Sequence, residues 1–385
     1  MNASGKVHTF LLSVRESIDS DANNYQSEMA NKNLNQAKNA KKDEFYTQLV
    51  DIENELRHYK EHFKGKTVLC NCDDPRVSNF FHYFSYNFER LGLKKLITTC
   101  YKNQERDLFS QNDSERAIWL EYEGDKNGNR VPDPDEIGIN YFEGDGDFRS
   151  RECIELLKQA DIVVTNPPFS LFREYVSQLI NYDKEFIIIG NTNALTYKEV
   201  FCLFQQDKIR TGYTNFNVGM YFVVPDSFDQ YHHIENGKKI ARVSTSCWYT
   251  NLPVQKHKEE LVMYKKYEPS EYPKYENYDA INVKTYTDIP YDYYGVMGVP
   301  ITFLDKYNPE QFEIILCCEP CIRLDVLRKD PDFKEYKSRQ VVCNGILCQK
   351  TYHRLFIRRK PTQQLYHQSE NSSFIAAESQ GKLCD

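Results

Sequence analysis

Four residues, Asn166–Phe169, combine a rigid turn with hydrogen-bond acceptors and an aromatic ring. They follow a β-branched run typical of a buried strand, and Pro167 and Pro168 stop that strand because neither has an N–H for a central ladder. The Asn166 side-chain oxygen and the Pro167 backbone carbonyl are acceptors. Each proline fixes its φ, so the acceptors are preorganised. The ring of Phe169 offers a face on which a nucleobase can stack.

This combination suits methyl transfer to the exocyclic amine of a nucleobase. The amine is a poor nucleophile because its lone pair is delocalised into the ring. Two acceptors on its two N–H groups would draw the nitrogen toward a tetrahedral shape and direct the lone pair at the incoming methyl group. A bare Asn-Pro dipeptide would favour a simple strand end. The four-residue set between a buried run and a helix is more specific, and we expect a catalytic turn.

Helices and strands alternate around this turn. A helix is expected within residues 43–63, and another after Ser170 as its N-cap. The expected strands are Thr67–Asn71, Lys95–Cys100, Asp161–Asn166, Glu185–Gly190 and Met220–Pro225. The spacing predicts an α/β fold class with a doubly wound, mostly parallel sheet. In such sheets ligands bind outside the carboxyl ends of the strands, which is where Asn166 lies.

The composition is that of a soluble globular protein. The chain has 385 residues, of which 40% are hydrophobic and 27% charged, and its net charge is −7. It contains no apolar run of about 18 residues, so we expect no membrane span. Without a convincing secretory signal, its cysteines are expected to be reduced thiols inside the cell. No set of ligands is complete at metal-site spacing, so we predict no metal.

One segment, Phe333–Lys360, is basic in this acidic chain. It has eight Lys and Arg residues and one Glu, a local charge of +7. Such a patch is typical of contacts with nucleic-acid phosphates, and a solvated basic hairpin is the alternative. The candidate DNA-binding residues in this segment are Lys350, Arg354, Arg358, Arg359 and Lys360.

Changes in composition predict three parts of the chain. Residues 1–42 are expected to form a flexible tail, because their Asn- and Lys-rich stretch shows little apolar periodicity. Residues 43–228 carry the alternating helices and strands and form the predicted catalytic domain. Residues 229–385 are rich in Tyr and Pro and include the basic segment. We predict that they form a smaller target-recognition domain.

Three motifs resemble those of adenine-N6 DNA methyltransferases. TNPPFSLF (165–172) resembles motif IV, DEFYTQ (43–48) resembles motif X, and GDGDF (144–148) resembles the motif that holds the cofactor's adenine. With further segments up to CQKTYHRLFIRRK (348–360), the chain resembles the EcoRI-type adenine-specific DNA methyltransferase family over about residues 41–360. The resemblance implies a Rossmann-like enzyme that takes its methyl group from S-adenosylmethionine.

The resemblance also implies where S-adenosylmethionine binds. The motif X segment is expected to hold the tail of the cofactor, and the GDGDF segment its adenine, with an acidic glycine turn as the alternative. The turn after the first strand departs from most such enzymes because it has no glycine. A helix N-cap with a first-turn acid is the alternative for its two aspartates. The predicted cofactor-binding residues are Tyr46, Thr47, Asn71, Asp73, Asp74, Asp147 and Phe148.

In such an enzyme the target adenine of double-stranded DNA must leave the base stack. Phe216 or Tyr213 lies where related enzymes carry an aromatic residue that sandwiches the flipped base, and core packing is the alternative. The resemblance implies a cytoplasmic enzyme of a prokaryotic or phage-infected cell, expected to act as a monomer. A cognate restriction endonuclease, acting on the same site without direct contact, is a candidate partner.

Two other functions remain open from the sequence. The first is methyl transfer to an RNA adenine or a protein glutamine, where Asn-Pro-Pro-aromatic motifs also occur. The second is a non-enzymatic DNA-binding protein with a decayed cofactor site, which the missing glycines suggest. A substrate panel separates the first from DNA methylation, and calorimetry of cofactor binding tests the second.

Overall fold

The computed structural model describes most of the chain between residues 46 and 361. The described ranges are 46–72, 78–101, 117–129, 132, 136–224, 231–253, 255–275, 278–317, 342–343, 346–347 and 353–361. The candidate residues Asp73, Asp74 and Lys350 and the predicted tail 1–42 lie outside them. Two compact units are formed. The first comprises residues up to Ala194 together with Thr211–Leu252, and the second comprises Leu195–Arg210 and residues from Pro253 onward.

The helices are short. They are α1 (Leu49–Leu56), α2 (Asn79–Tyr86), α3 (Phe88–Leu91), α4 (Arg151–Gln159), α5 (Phe172–Asn181) and α6 (Lys198–Gln205). Single turns of 3-10 helix lie at Lys60–Phe63, Phe169–Leu171, Thr192–Thr196, Gln255–Lys258, Tyr286–Asp288 and Ile301–Lys306.

The strands form two sheets in the first unit and two smaller ones in the second. The first nine are β1 (Tyr46–Thr47), β2 (Thr67–Cys70), β3 (Lys95–Cys100), β4 (Ile118–Tyr122), β5 (Gly138–Tyr141), β6 (Ile162–Thr165), β7 (Glu185–Asn191), β8 (Arg210–Thr211) and β9 (Met220–Val224). The others are β10 (His233–Glu235), β11 (Lys238–Val243), β12 (Ser246–Thr250), β13 (Ile281–Asn282), β14 (Val296–Pro300), β15 (Phe312–Cys317), β16 (Val342–Cys343), β17 (Ile346–Leu347) and β18 (Arg354–Arg359).

The large sheet of the first unit is mixed. Its strand order is β5-β4-β3-β2-β6-β7-β12-β8. The four strands β3, β2, β6 and β7 run parallel, while β4, β5 and β12 are antiparallel to their neighbours. Helices combined with this sheet give an α/β fold, as predicted. The doubly wound arrangement of the helices stays a prediction.

The centre of this sheet is buried because its strands are almost wholly apolar. All four residues of β6 have no exposed surface, which explains the unbroken β-branched run in the sequence. Phe172 of α5 packs so closely on β7 that a Cβ at Gly190 would overlap its ring. A glycine is therefore required at Gly190 for close approach of this helix.

A smaller sheet in the first unit has the order β1-β9-β11-β10. The two-residue strand β1 pairs antiparallel with β9, which places Tyr46 opposite Val223. The sequence predicted a helix here, because the helical pattern that follows begins only two residues later. The partner strand lies far along the chain, so local periodicity gives no sign of β1.

The second unit is built on a four-stranded sheet of order β13-β14-β18-β15. Its tyrosines contribute to the core: the rings of Tyr275 and Tyr278 lie 5.3 and 5.1 Å from Phe356. The segment Leu195–Arg210 belongs to this unit partly through Arg210. Its guanidinium lies 4.7 Å from the centre of the Tyr307 ring and donates to the Tyr307 carbonyl at 3.3 Å.

The two units do not divide at residue 228, near which the sequence predicted a domain boundary. The strand β12 pairs with β7 from Ser246–Asn191 to Thr250–Ile187, so residues 231–252 belong with the large sheet. The roles predicted for the two parts stay predictions. In the described part of the chain, no helix is both long and apolar enough to cross a membrane.

Candidate active site

The predicted catalytic turn and the end of β2 lie together at one edge of the large sheet. Strands β2 and β6 are parallel, with Leu69 opposite Val163, so their carboxyl ends meet. The Thr165 hydroxyl, at the end of β6, donates a hydrogen bond to the backbone carbonyl of Asn71. One hydrogen bond thus joins the strand that precedes Asn166 to a predicted cofactor-binding residue.

The turn itself is largely enclosed. Asn166 is 7% exposed and its side-chain oxygen is buried, while Pro167 is buried and Pro168 and Phe169 are half-buried. Phe169 begins a 3-10 turn, in which the Leu171 N–H donates to the Pro168 carbonyl at 3.0 Å. The predicted N-cap Ser170 is wrong, because α5 begins only at Phe172, after this extra turn.

A buried tyrosine connects the end of β2 to the predicted adenine contact. The Tyr175 hydroxyl on α5 donates to the Asn71 side-chain oxygen, and the Tyr175 ring meets Phe148 edge-on with the centroids 5.1 Å apart. Gln178 donates to the Phe148 carbonyl at 3.0 Å. Burial raises the pKa of Tyr175 well above its ordinary value, so the hydroxyl stays a donor. The sequence indicated only an apolar helix position here, although a buried tyrosine hydroxyl usually has a partner.

Asp147 is held by Arg149, which the sequence did not single out. Its carboxylate accepts from the Arg149 backbone N–H and side chain at distances of 2.7–2.8 Å. Burial opposes ionisation of Asp147, but the hydrogen bonds and charge of Arg149 outweigh it and lower the pKa. The guanidinium also lies 5.3 Å from the centre of the Phe148 ring. A carboxylate has about four acceptor sites, and the described residues occupy three of them on Asp147.

The motif X residues are joined to the first residue of α2, the helix that follows the turn after β2. Tyr46 and Thr47 are buried, and the Thr47 carbonyl accepts from the Asn79 side chain at 2.7 Å. Asn79 is the first residue of α2, which follows that turn. Cys72 in the turn has φ +76°, a left-handed conformation that favours glycine. The backbone at Cys72 is therefore glycine-like although no glycine follows β2 there.

The two aromatic candidates for the flipped base lie in different surroundings. Tyr213 stacks on His58 with the ring centroids 3.9 Å apart and meets Tyr59 edge-on at 6.0 Å. This packing favours a structural role for Tyr213. Phe216, three residues further on, is half-buried. Its contact with a flipped base stays a prediction.

The family model for the adenine-specific methyltransferase EcoRI matches residues 33–360. The chain belongs to this EcoRI methyltransferase family. The resemblance stated from the sequence is confirmed, and so is an adenine-specific methyltransferase as the kind of enzyme. A methyltransferase needs a methyl donor of the S-adenosylmethionine type.

Three relatives of this EcoRI-family chain are named as Type II methyltransferases. M.EcoRI of Escherichia coli is 53% identical over 291 residues, which are 74% of this chain and 89% of the relative. M.MgeORF184P of Mycoplasma genitalium is 38% identical over 337 residues, 85% and 98% of the two chains. M.MpnI of Mycoplasma pneumoniae is 39% identical over 304 residues, 77% and 89% of the two chains. No solved structure matches the chain.

The basic candidates of the EcoRI-family chain lie on and beside β18. Arg354 donates to the Val283 carbonyl at 3.0 Å, and Arg358 lies 3.8 Å from the Glu313 carboxylate. The Arg359 guanidinium lies 5.1 Å from the centre of the Tyr294 ring, and Lys360 donates to the Pro309 carbonyl at 2.7 Å. These contacts hold the side chains along one strand, and their contact with DNA stays a prediction.

Within the described ranges, no three His, Cys, Asp or Glu side chains lie close enough together to bind a metal ion.

Proposed function

We propose that this chain transfers a methyl group from S-adenosylmethionine to the N6 amine of adenine at a specific sequence in double-stranded DNA. The proposal rests on one observation: a hydrogen bond joins the carboxyl end of β6 to the residue that follows β2. The Thr165–Asn71 hydrogen bond ties the strand before the Asn-Pro-Pro-Phe turn to Asn71, one of the predicted cofactor residues. Both substrates can therefore meet at one edge of the sheet.

The residues at this edge fit S-adenosylmethionine. The described residues fill three of about four acceptor sites on Asp147, and the fourth suits the exocyclic amine of the cofactor's adenine. Phe148 is 9% exposed and presents an apolar contact for the adenine ring. We infer that Tyr46, Thr47, Asn71, Asp73 and Asp74 hold the remainder of the cofactor. When bound, the cofactor supplies an electrophilic methyl group.

The chain's own contribution is to orient the target amine. The Asn166 side-chain oxygen and the Pro167 carbonyl accept its two N–H groups, and Phe169 stacks on the base. Enclosure of the turn excludes water and strengthens these hydrogen bonds. After transfer the nitrogen is cationic and acidic, so its proton leaves to solvent. No step requires a metal ion.

Of residues 229–385, those from Pro253 onward, which lie outside the large sheet, are proposed to recognise the target sequence, with the basic segment on the DNA phosphates. Phe216 is proposed to contact the flipped adenine. The names of the three relatives, all Type II methyltransferases, favour a modification role in a restriction–modification system. We infer that the enzyme works in the cytoplasm, beside an endonuclease that acts independently. We infer that the enzyme acts as a monomer and that its sheet is of the doubly wound, Rossmann-like type.

A substrate panel tests the proposal. Unmethylated plasmid, total RNA and a protein extract are each incubated with the chain and S-adenosylmethionine carrying a radiolabelled methyl group. Label in plasmid alone is the expected result. Label in RNA or protein alone would contradict DNA as the substrate, and no label together with no calorimetric cofactor binding would favour a decayed cofactor site.

A further inference from the structure

A buried carboxylate, Glu55, lies on α1 outside the site described above. It has no exposed surface and accepts four hydrogen bonds. Its Oε1 accepts from the Tyr59 hydroxyl and the Tyr213 N–H, both at 2.7 Å. Its Oε2 accepts from the Thr214 N–H at 2.7 Å and the Thr214 hydroxyl at 2.6 Å. Three of the four donors therefore belong to one short segment, 213–214.

The residue before this segment, Gly212, lies so close to Glu55 that only a glycine fits there. A Cβ on Gly212 would overlap Oε1 of Glu55 and come within 2.5 Å of the Trp248 Cβ. The Gly212 N–H also donates to the Trp248 carbonyl at 2.8 Å. The backbone is thus fixed between a buried carboxylate and the large sheet.

A second carboxylate on α1, that of Asp51, binds the next residue of the segment, Asn215. Asn215 has φ +65° and donates to Asp51 at 3.1 Å, while its oxygen accepts from Trp248 at 3.3 Å. Asp51 precedes Glu55 by one helical turn, so both face the segment. The residue after Asn215 is Phe216.

We propose that Glu55 is a positioning residue, which holds segment 213–215 in the conformation that presents Phe216 to the flipped adenine. This inference rests on the proposed function. A carboxylate is required because both of its oxygens face backbone N–H groups. A glutamine side chain has only one oxygen. In one orientation its NH₂ would face the Tyr213 N–H, and in the other it would face the Thr214 N–H, so a donor would always face a donor.

The matched test compares Glu55→Gln with Glu53→Gln, the same change at an exposed position of α1. The target site is first read from methylated plasmid, and 2-aminopurine is placed at the target adenine of a duplex. For Glu55→Gln we expect kcat to fall by about 10–100-fold. We also expect a weaker rise in 2-aminopurine fluorescence at saturating enzyme and an unchanged KM for S-adenosylmethionine. Glu53→Gln should match the wild type.

A double-mutant cycle distinguishes positioning from a general structural role. If Glu55 acts through Phe216, Phe216→Ala lowers kcat less in the Glu55→Gln background than in the wild type, because the ring is already misplaced. Additive losses, or a folded Glu55→Gln enzyme with wild-type kcat, would overturn the inference. If Glu55→Gln does not fold, Thr214→Val, which removes one hydroxyl donor, replaces it in the cycle. Absence of methylation by the wild type would instead count against the proposed function.

Discussion

The hydroxyl of Thr165 donates to the backbone carbonyl of Asn71, so the last residue of β6 is tied to the residue that follows β2. Both strands end at the same edge, and the residues that follow them carry different predicted tasks: Asn166 orients the amine and Asn71 contacts the cofactor. This hydrogen bond therefore fixes the distance between the strand end that carries Asn166 and the strand end that carries Asn71. A second contact, from Tyr175 to the Asn71 side chain, sets the orientation of that side chain.

Tyr175→Phe should weaken both the fold and cofactor binding. The change keeps the ring but removes the donor to the buried Asn71 oxygen, which should cost about 1–3 kcal/mol of unfolding free energy. We expect the dissociation constant of S-adenosylmethionine to rise by about tenfold. This factor corresponds to a loss of about 1.4 kcal/mol of binding free energy when the Asn71 side chain is no longer oriented. Denaturant unfolding and titration calorimetry measure the two effects. Tyr86→Phe, at a 60% exposed position, is the control; equal behaviour of the two variants would contradict this role.

Cys72→Gly and Cys72→Val should differ in their effect on the free energy of unfolding. The left-handed backbone at Cys72 costs a residue with a Cβ about 1–2 kcal/mol, which glycine avoids at an entropic cost of about 0.5–1 kcal/mol. Cys72→Gly should therefore stay within about 1 kcal/mol of the wild type. A β-branched valine is strained there and should destabilise the protein by about 1–2 kcal/mol. Chemical denaturation of both variants tests this, and equal stability would show that the turn adopts another conformation.

Cys153 should resist alkylation at neutral pH. Burial raises the pKa of this thiol from 9.0 to about 11, and its Sγ donates to the Gly146 carbonyl at 3.3 Å. The folded thiol is therefore protonated at pH 8, where we expect iodoacetamide to modify the half-buried Cys202 first. Peptide mass spectrometry after timed labelling measures both rates, and faster labelling of Cys153 would contradict the prediction.

The same shift gives a dependence of stability on pH. A raised folded pKa favours the folded state below the unfolded pKa of 9.0, and this contribution is lost as pH rises toward about 11. Cys153→Ala should therefore lose less unfolding free energy than the wild type between pH 8.5 and 10.5 (about the range of the shift). Equal slopes for the two proteins would show that the thiol does not contribute.

Neutralising the basic residues at the end of β18 should reduce the salt dependence of DNA binding. Each phosphate contact that is lost lowers the slope of log K against log salt by about 0.9. Arg359→Gln and Lys360→Gln together should lower it by up to about 1.8. Fluorescence anisotropy at several salt concentrations measures the slope, with Lys94→Gln at an exposed position of the other unit as the control. An unchanged slope would place the DNA elsewhere.

Local patterns predicted the central strands of the large sheet and the position of the Asn-Pro-Pro-Phe turn; the catalytic role of that turn stays a prediction. All four residues of Ile162–Thr165 are β-branched and the first three are apolar, and two prolines without N–H groups follow, so both the strand and its end follow from the sequence. The short strand β1 and the pairing of β12 with β7 could not be predicted this way. Both depend on partners distant in sequence, which periodicity does not report.

The contacts that hold the site were harder to predict than its motif residues. Arg149 contacts Asp147 within one loop, where no helical or strand periodicity marks the pair. Tyr175 against Asn71 and Glu55 against segment 213–214 are tertiary contacts between residues far apart in sequence. A buried tyrosine or glutamate within an apolar helical pattern is the signal that could have drawn attention to them, since such groups are buried only with partners.

The most direct test of the catalytic turn is mass spectrometry of nucleosides from unmethylated plasmid incubated with S-adenosylmethionine and either the wild type, Asn166→Ala or Asn181→Ala. Asn181 is an exposed residue at the end of α5 and serves as the control. We expect N6-methyladenine from the wild type and the control, and at least about 100-fold less from Asn166→Ala, because one acceptor for the amine is gone. A folded, cofactor-binding Asn166→Ala enzyme that methylates as fast as the wild type would contradict the assigned role of the turn.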